Sequence, residues 1–273
     1  MHRLNPGLLA KALRESWLAT LLTALGLFTA EVFLAQVLPG VFKNLSEQIL
    51  QVRIVREIVS ALLGADVGAG LGSIALMSVA WVHPVILGLL WAYVLVQATR
   101  VPAGEIDRGT IDILLSLPIT RFQAYVAPSL VWLAGGLVLA GAVLLGNIIG
   151  AWSLGSDYTG KVVNRIQVSA NLFAMYVAVG GIVSFISATC SRRGQAMAIA
   201  FGVLSASFLV NFLAAFQKSF EWISFLSVLD YYRPLHVLSG SGRLSDIFVL
   251  LTVGGLCWIL GAVVFQRRDL PTT

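Results

Sequence analysis

Residues 122–152 read FQAYVAPSLVWLAGGLVLAGAVLLGNIIGAW, a run that contains no Asp, Glu, Lys or Arg. A helix rises about 1.5 Å per residue and a bilayer core about 30 Å thick is crossed by about 20 apolar residues, so this run is long enough to span. It lacks the polar alternation of a membrane strand, and in lipid a helix bonds every backbone amide within its own segment. The same reasoning, taken outward along the chain, marks six spans: Leu18 to Leu38, Ile74 to Thr99, Phe122 to Trp152, Ser169 to Thr189, Ala196 to Phe216, and Ile247 to Phe265. The expected fold is all-α, a polytopic membrane protein with one transmembrane domain over residues 1–273.

Composition points the same way. Of the 273 residues, 58% are apolar and 11% charged, whereas a soluble domain carries about 45–50% and about 25%. The net charge of +5 does not indicate nucleic acid, because no basic stripe interleaved with aromatics is present and the cations flank apolar runs, where lipid headgroups lie. Cys190 and Cys257 sit in or beside apolar runs and read as small hydrophobes, and His2, His83 and His236 are too scattered to hold a metal.

Six spans place both termini on one side. With the N-terminus inside, the inner segments hold Arg3, Lys11, Arg14, Arg100, Arg108, Arg121, Arg192, Arg193, Arg267 and Arg268, while the longer outer segments hold Lys43, Arg53, Arg56, Lys161, Arg165, Lys218, Arg233 and Arg243. Basic residues beside spans favour the cytoplasm, so both termini are expected there. Ahead of the first span, Leu9, Leu13 and Trp17 repeat opposite Lys11, Arg14 and Glu15, which predicts an interfacial helix within residues 1–17, capped by Asn5 and started by Pro6. The outer segment from Pro39 to Ser73 has helical spacing from Ile49 to Leu63, and the outer segment from Gln217 to Asp246 is rich in aromatics and broken by Pro234, which suits short interfacial helices.

The inner segment 105–121 reads EIDRGTIDILLSLPITR. Gly109 permits a sharp turn, Thr110 is placed to accept a hydrogen bond from an exposed amide, Asp112 suits a first helical turn, and Pro118 ends the helix. Ile111, Leu114 and Leu115 then share one apolar face on a helix too short to span, and that face needs cover, either from a partner or from the membrane onto which the connector folds back.

This segment resembles the ABC-2-type permease family, whose members carry an acidic, Gly-Thr, Leu-Leu, Pro, Arg pattern in the same loop. The likeness extends to the N-terminal amphipathic segment, the six-span layout, the long outer segment before the last span and the ending Phe265-Gln-Arg-Arg-Asp-Leu270. It implies that Gly109 to Pro118 is a coupling helix that docks on a separate ABC ATPase subunit, with Glu105, Gly109, Thr110, Ile111, Asp112, Leu114, Leu115, Ser116, Pro118 and Arg121 as the contact residues. It further implies an exporter built from two permease subunits, as a homodimer, and two ATPase subunits in a prokaryotic inner membrane. ATP and Mg belong to the ATPase, since this chain has no Gly-x-x-x-x-Gly-Lys-Ser/Thr loop and is expected to bind no cofactor itself. Gly146-x-x-x-Gly150 is compatible with close packing in such a dimer.

Polar residues inside the spans mark a candidate translocation path: Glu31 and Gln36 in or near the first span, Asn147 in the third and Asn211 in the fifth. Glu31 either faces that path or reaches the outer headgroups, and the asparagines also suit helix-to-helix bonding. His83-Pro84 marks a kink. Two other function classes stay open on sequence: a permease-like subunit that passes force to an extracytoplasmic partner, and a membrane enzyme using Glu221, Asp230, Arg233 and His236 of the last outer segment.

Overall fold

The computed structural model describes residues 5–49, 73–152, 154, 161–216 and 218–269. Its helices are α1 (Pro6–Ile49), α2 (Ser73–Val82), α3 (Pro84–Ala98), the five-residue α4 (Ile111–Leu115), α5 (Arg121–Trp152), α6 (Val162–Thr189), α7 (Arg193–Phe216), α8 (Pro234–Leu238) and α9 (Leu244–Arg267), with 3-10 turns at Lys218–Leu226 and Val228–Tyr231. Six long apolar stretches among the described residues can cross a membrane: Pro6–Pro39, Leu76–Ala98, Arg121–Trp152, Val162–Thr189, Arg193–Ala214 and Leu244–Arg267.

The amphipathic segment forms the first part of α1, continuous with the span that follows. Nothing in residues 8–17 breaks a helix: the segment holds no proline or glycine and its Leu, Ala, Lys, Arg and Glu are strong helix formers. The second span is interrupted at His83, as Pro84 requires, and the His83 ring restarts the helix by accepting the Val85 amide at 3.3 Å. The helical pattern predicted from Ile49 to Leu63 falls almost wholly outside the described residues.

α6 is the central helix. Its small residues let neighbours approach closely: a methyl group added at Gly181 would sit 2.0 Å from the Gly254 carbonyl oxygen of α9. α5 and α1 meet in the same manner, since a methyl group at Gly146 would lie 2.7 Å from the Phe28 carbonyl oxygen and one at Gly150 2.7 Å from Ala35 Cβ. The Gly146-x-x-x-Gly150 motif, compatible on sequence with close packing in a dimer, is here occupied within one chain, on α1. Between apolar helices the attraction is close packing together with interhelical hydrogen bonds, because lipid is as apolar as leucine. Examples are Tyr176 Oη to the Trp132 carbonyl at 2.7 Å, and Trp258 Nε1 to Ser129 Oγ at 2.8 Å.

At one end of the bundle Leu8, Ile106, Ile111, Leu114, Tyr125, Ala188 and Phe265 share an apolar cluster. The described start of α1, the start of α5, the end of α6 and the end of α9 all converge there, around the connector between α3 and α5. The same end gathers Lys11, Arg100, Arg108, Arg121, Arg193 and Arg268. Several of these cations bind the protein rather than point to headgroups: Arg121 donates to the Arg268 carbonyl at 2.6 Å, Arg193 to the Val96 carbonyl at 2.8 Å, and Arg268 to the Cys190 carbonyl at 2.9 Å. Arg193 and Arg268 thus donate to carbonyls at or near the C-terminal ends of α3 and α6, where a cation is favourable.

Candidate functional site

After α3 the chain turns through Arg100–Asp107 and reaches Gly109 with φ +66°, in the left-handed region where a side chain is strained. That turn reverses the chain and delivers α4, which is stopped at Ser116 ahead of Pro118. α5 then starts with a reciprocal cap: Thr120 N donates to Gln123 Oε1 at 3.0 Å and Gln123 N to Thr120 Oγ1 at 3.1 Å.

Thr110 does not cap α4 as its position suggested. Its hydroxyl turns back and donates to the Glu105 carboxylate, while its amide donates to the Glu105 carbonyl at 3.0 Å. An ionised carboxylate is a strong acceptor for the hydroxyl. Glu105 itself is 3% exposed, so it faces inward and is not a surface contact. On its other side Lys11 Nζ of α1 donates to it at 2.9 Å, and Arg108 at 3.2 Å. Burial alone would push the Glu105 carboxyl up, but the hydrogen bonds from Thr110 and Lys11 and the charges of Lys11 and Arg108 outweigh it and hold the group below its ordinary range.

The apolar face of α4 also differs from its sequence reading. Ile111 is 1% exposed and Leu114 8%. Both are covered by this chain, against Leu8, Ile106, Tyr125 and Phe265, with Leu115 packed partly on the same cluster. What this chain leaves uncovered is the opposite side, with Ile113 69% exposed on α4 and Leu117 51% exposed just past its end, beside Asp112, Ser116 and Pro118. A cleft of about 440 Å³ opens there, lined by Lys11, Glu15, Glu105, Arg108, Thr110, Ile113, Leu114 and Leu117. Arg121 lies behind, committed to the end of α9 through the carbonyls of Gln266 and Arg268.

The residues picked out inside the spans separate into two groups. Glu31 is 0% exposed, so it neither lines an open path nor reaches headgroups in this conformation. It accepts a hydrogen bond from Asn147 Nδ2 at 2.7 Å, and the buried Arg165 donates to the Asn147 carbonyl at 3.4 Å while its charge acts on Glu31. This polar knot ties α1, α5 and α6. Sequence places Arg165 in an outer segment because the span is read from Ser169, but α6 starts at Val162 and carries the arginine into the bundle. Gln36 is exposed on α1 and Asn211 half-buried on α7, and neither joins the knot. In the segment before α9 Asp230 is paired with Arg233 at 2.8 Å while His236 Nδ1 contacts Ser241 at 3.5 Å, and the side chain of Glu221 lies outside the described residues.

Lys11, Glu15, Arg193, Ile113 and Leu117 lie at or beside the site around α4 without having been singled out as site residues. The i,i+4 spacing of Lys11 and Glu15 was a usable signal; the others have neighbours about 86 to 97 positions away or face solvent.

Six helices long and apolar enough to cross a membrane, the central α6 among them, with a short helix held at one end of the bundle, define a multi-pass membrane protein. The chain belongs to the ABC-2 transporter family: the family model described as "ABC-2 family transporter protein" matches residues 12–270. It is a permease component of an ABC transporter, and permeases of this family work with ABC ATPase partners. No curated protein matches the chain at a significant level.

Proposed function

We propose that this chain is the membrane-spanning subunit of an ATP-driven exporter, coupled to its separate ATPase through α4. The observation that carries this reading is the pair Ile113 and Leu117, both more than half exposed, the first on α4 and the second just past its end, while the other face of α4 is anchored to the bundle. A helix fixed from behind and apolar in front is suited to passing a push from a partner into the membrane domain. In this reading two copies of the chain pair and recruit two ATPase subunits, which hold ATP and Mg, and ATP binding draws the two short helices together. The basic end of the bundle then faces the cytoplasm of a prokaryotic inner membrane, with both termini on that side, as basic residues next to spans favour.

Burying each of Ile113 and Leu117 at an interface contributes about 1.5–3 kcal/mol, so removing both weakens docking by roughly a hundredfold to ten-thousandfold. The test is co-purification of the ATPase with Ile113→Asp, Leu117→Asp in one chain. The variant is expected to insert and fold as the parent does and to lose its ATPase. Retention of the ATPase at parental yield refutes the assignment.

A further inference from the structure

Glu105 ties the turn before α4 to α1, which also meets α4 through Leu8 in the shared apolar cluster. Its carboxylate closes the turn before α4 through Thr110 and Arg108, and holds the first turns of α1 through Lys11. On one side of the Lys11–Glu105 pair lies the open cleft of about 440 Å³, and on the other a cavity of about 30 Å³ bordered by Leu8, Ala12, Gln97 and Val131. The ionic link thus runs between two open spaces, beside the apolar contact of Leu8. A second tether runs beside it, from Arg100 to the side chain of Glu15 and, at 3.0 Å, to its carbonyl.

α1 continues from this clasp without a break. Glu31 lies twenty residues beyond Lys11, about 30 Å along a helix, and there α1 is gripped by Asn147 and by the close approach of Gly146 and Gly150. A stiff rod fastened at both ends transmits displacement from one to the other.

We infer that Glu105 and Lys11 are positioning residues that make α4 and α1 move as one body, so that a displacement imposed on α4 reaches the Glu31–Asn147 knot through α1. This rests on the reading of α4 as the ATPase contact. Neither residue has to touch the ATPase or the transported molecule.

The test uses the full chain in lipid nanodiscs, with Cys190 and Cys257 replaced by alanine and spin labels at the exposed positions Arg14 and Ser116. Distances between the labels are measured in the chain alone, then in its complex with the ATPase trapped by Mg-ATP and vanadate. The parent is expected to give one narrow distance that trapping leaves unshifted. Lys11→Met and Glu105→Gln are expected to lose the narrow distance and to shift on trapping, and Lys11→Arg to restore it. A narrow distance kept in both Lys11→Met and Glu105→Gln, or a parental distance that shifts on trapping, overturns the proposal. If no ATPase is recruited, the coupling reading fails by itself, while the measurements on the chain alone still decide whether the clasp holds α4 to α1.

Discussion

Replacing Ile111 by alanine separates the two faces of α4 cleanly. The side chain is 1% exposed within the cluster of Leu8, Ile106, Leu114, Tyr125 and Phe265. Truncating a fully buried isoleucine removes its transfer energy and leaves a cavity, together about 2–5 kcal/mol. Ile113, two positions on, is 69% exposed, and surface changes away from special features fall within about 0.5 kcal/mol. Because α4 is a small unit at the edge of the bundle, the loss falls on its local opening rather than on global unfolding. The measurement is amide hydrogen exchange of residues 105–116 in nanodiscs. At the lower figure of about 2 kcal/mol, exchange in Ile111→Ala speeds up about thirtyfold, whereas Ile113→Ala leaves it within about twofold. Equal protection in the two variants, or faster exchange in Ile113→Ala, would refute the placement of Ile111 beneath the helix.

Three further outcomes follow from the packing and the charges. Gly181→Ala forces a methyl group into the Gly254 carbonyl and is expected to lower stability by about 1–3 kcal/mol, seen as a lower thermal midpoint, while Gly255→Ala, with open space around it, leaves the midpoint unchanged or raises it. Asn147→Leu removes the donor to Glu31 Oε1 and is expected to cost about 1–3 kcal/mol; an additional Glu31→Leu in the same chain should recover part of it, and a double variant no more stable than Asn147→Leu counts against the knot. Because the Glu105 carboxyl is held below its ordinary range, its contribution is complete above the unfolded value of about 4.3 and is lost as pH falls through the lower folded value. The thermal midpoints of the parent and Glu105→Gln should thus differ at neutral pH and converge in acid; a gap that persists or widens in acid reverses the sign and refutes it.

The number of spans was legible in the sequence because it is imposed by solvent. Lipid offers no partner to a backbone amide, so residues 122–152 and the other long apolar runs can only be helices, and their lengths are set by the thickness to be crossed. Local backbone chemistry was legible too. Pro84 cannot continue a helix ladder and the chain breaks at His83, while Gly109 supplies the positive φ of the turn before α4.

What the tertiary structure decided is which neighbour each side chain meets. Ile111 and Leu114 form an apolar face whatever covers it, and their spacing is the same whether the cover is a partner, the bilayer or Phe265, which follows Ile111 by 154 positions in this chain. Gly146 and Gly150 allow close approach to any helix, and only the packing of α5 shows that helix to be α1. Glu31 announced a cost that some partner must offset, yet nothing near it in sequence identifies Asn147, 116 residues on. Glu105 was read as a flank of the coupling segment and turns out to be enclosed, since the lysine that draws it inward lies 94 residues earlier. Periodicity records that a face must be buried and a charge must be paired; the partner is fixed by contacts distant in the chain, which form only when the helices come together.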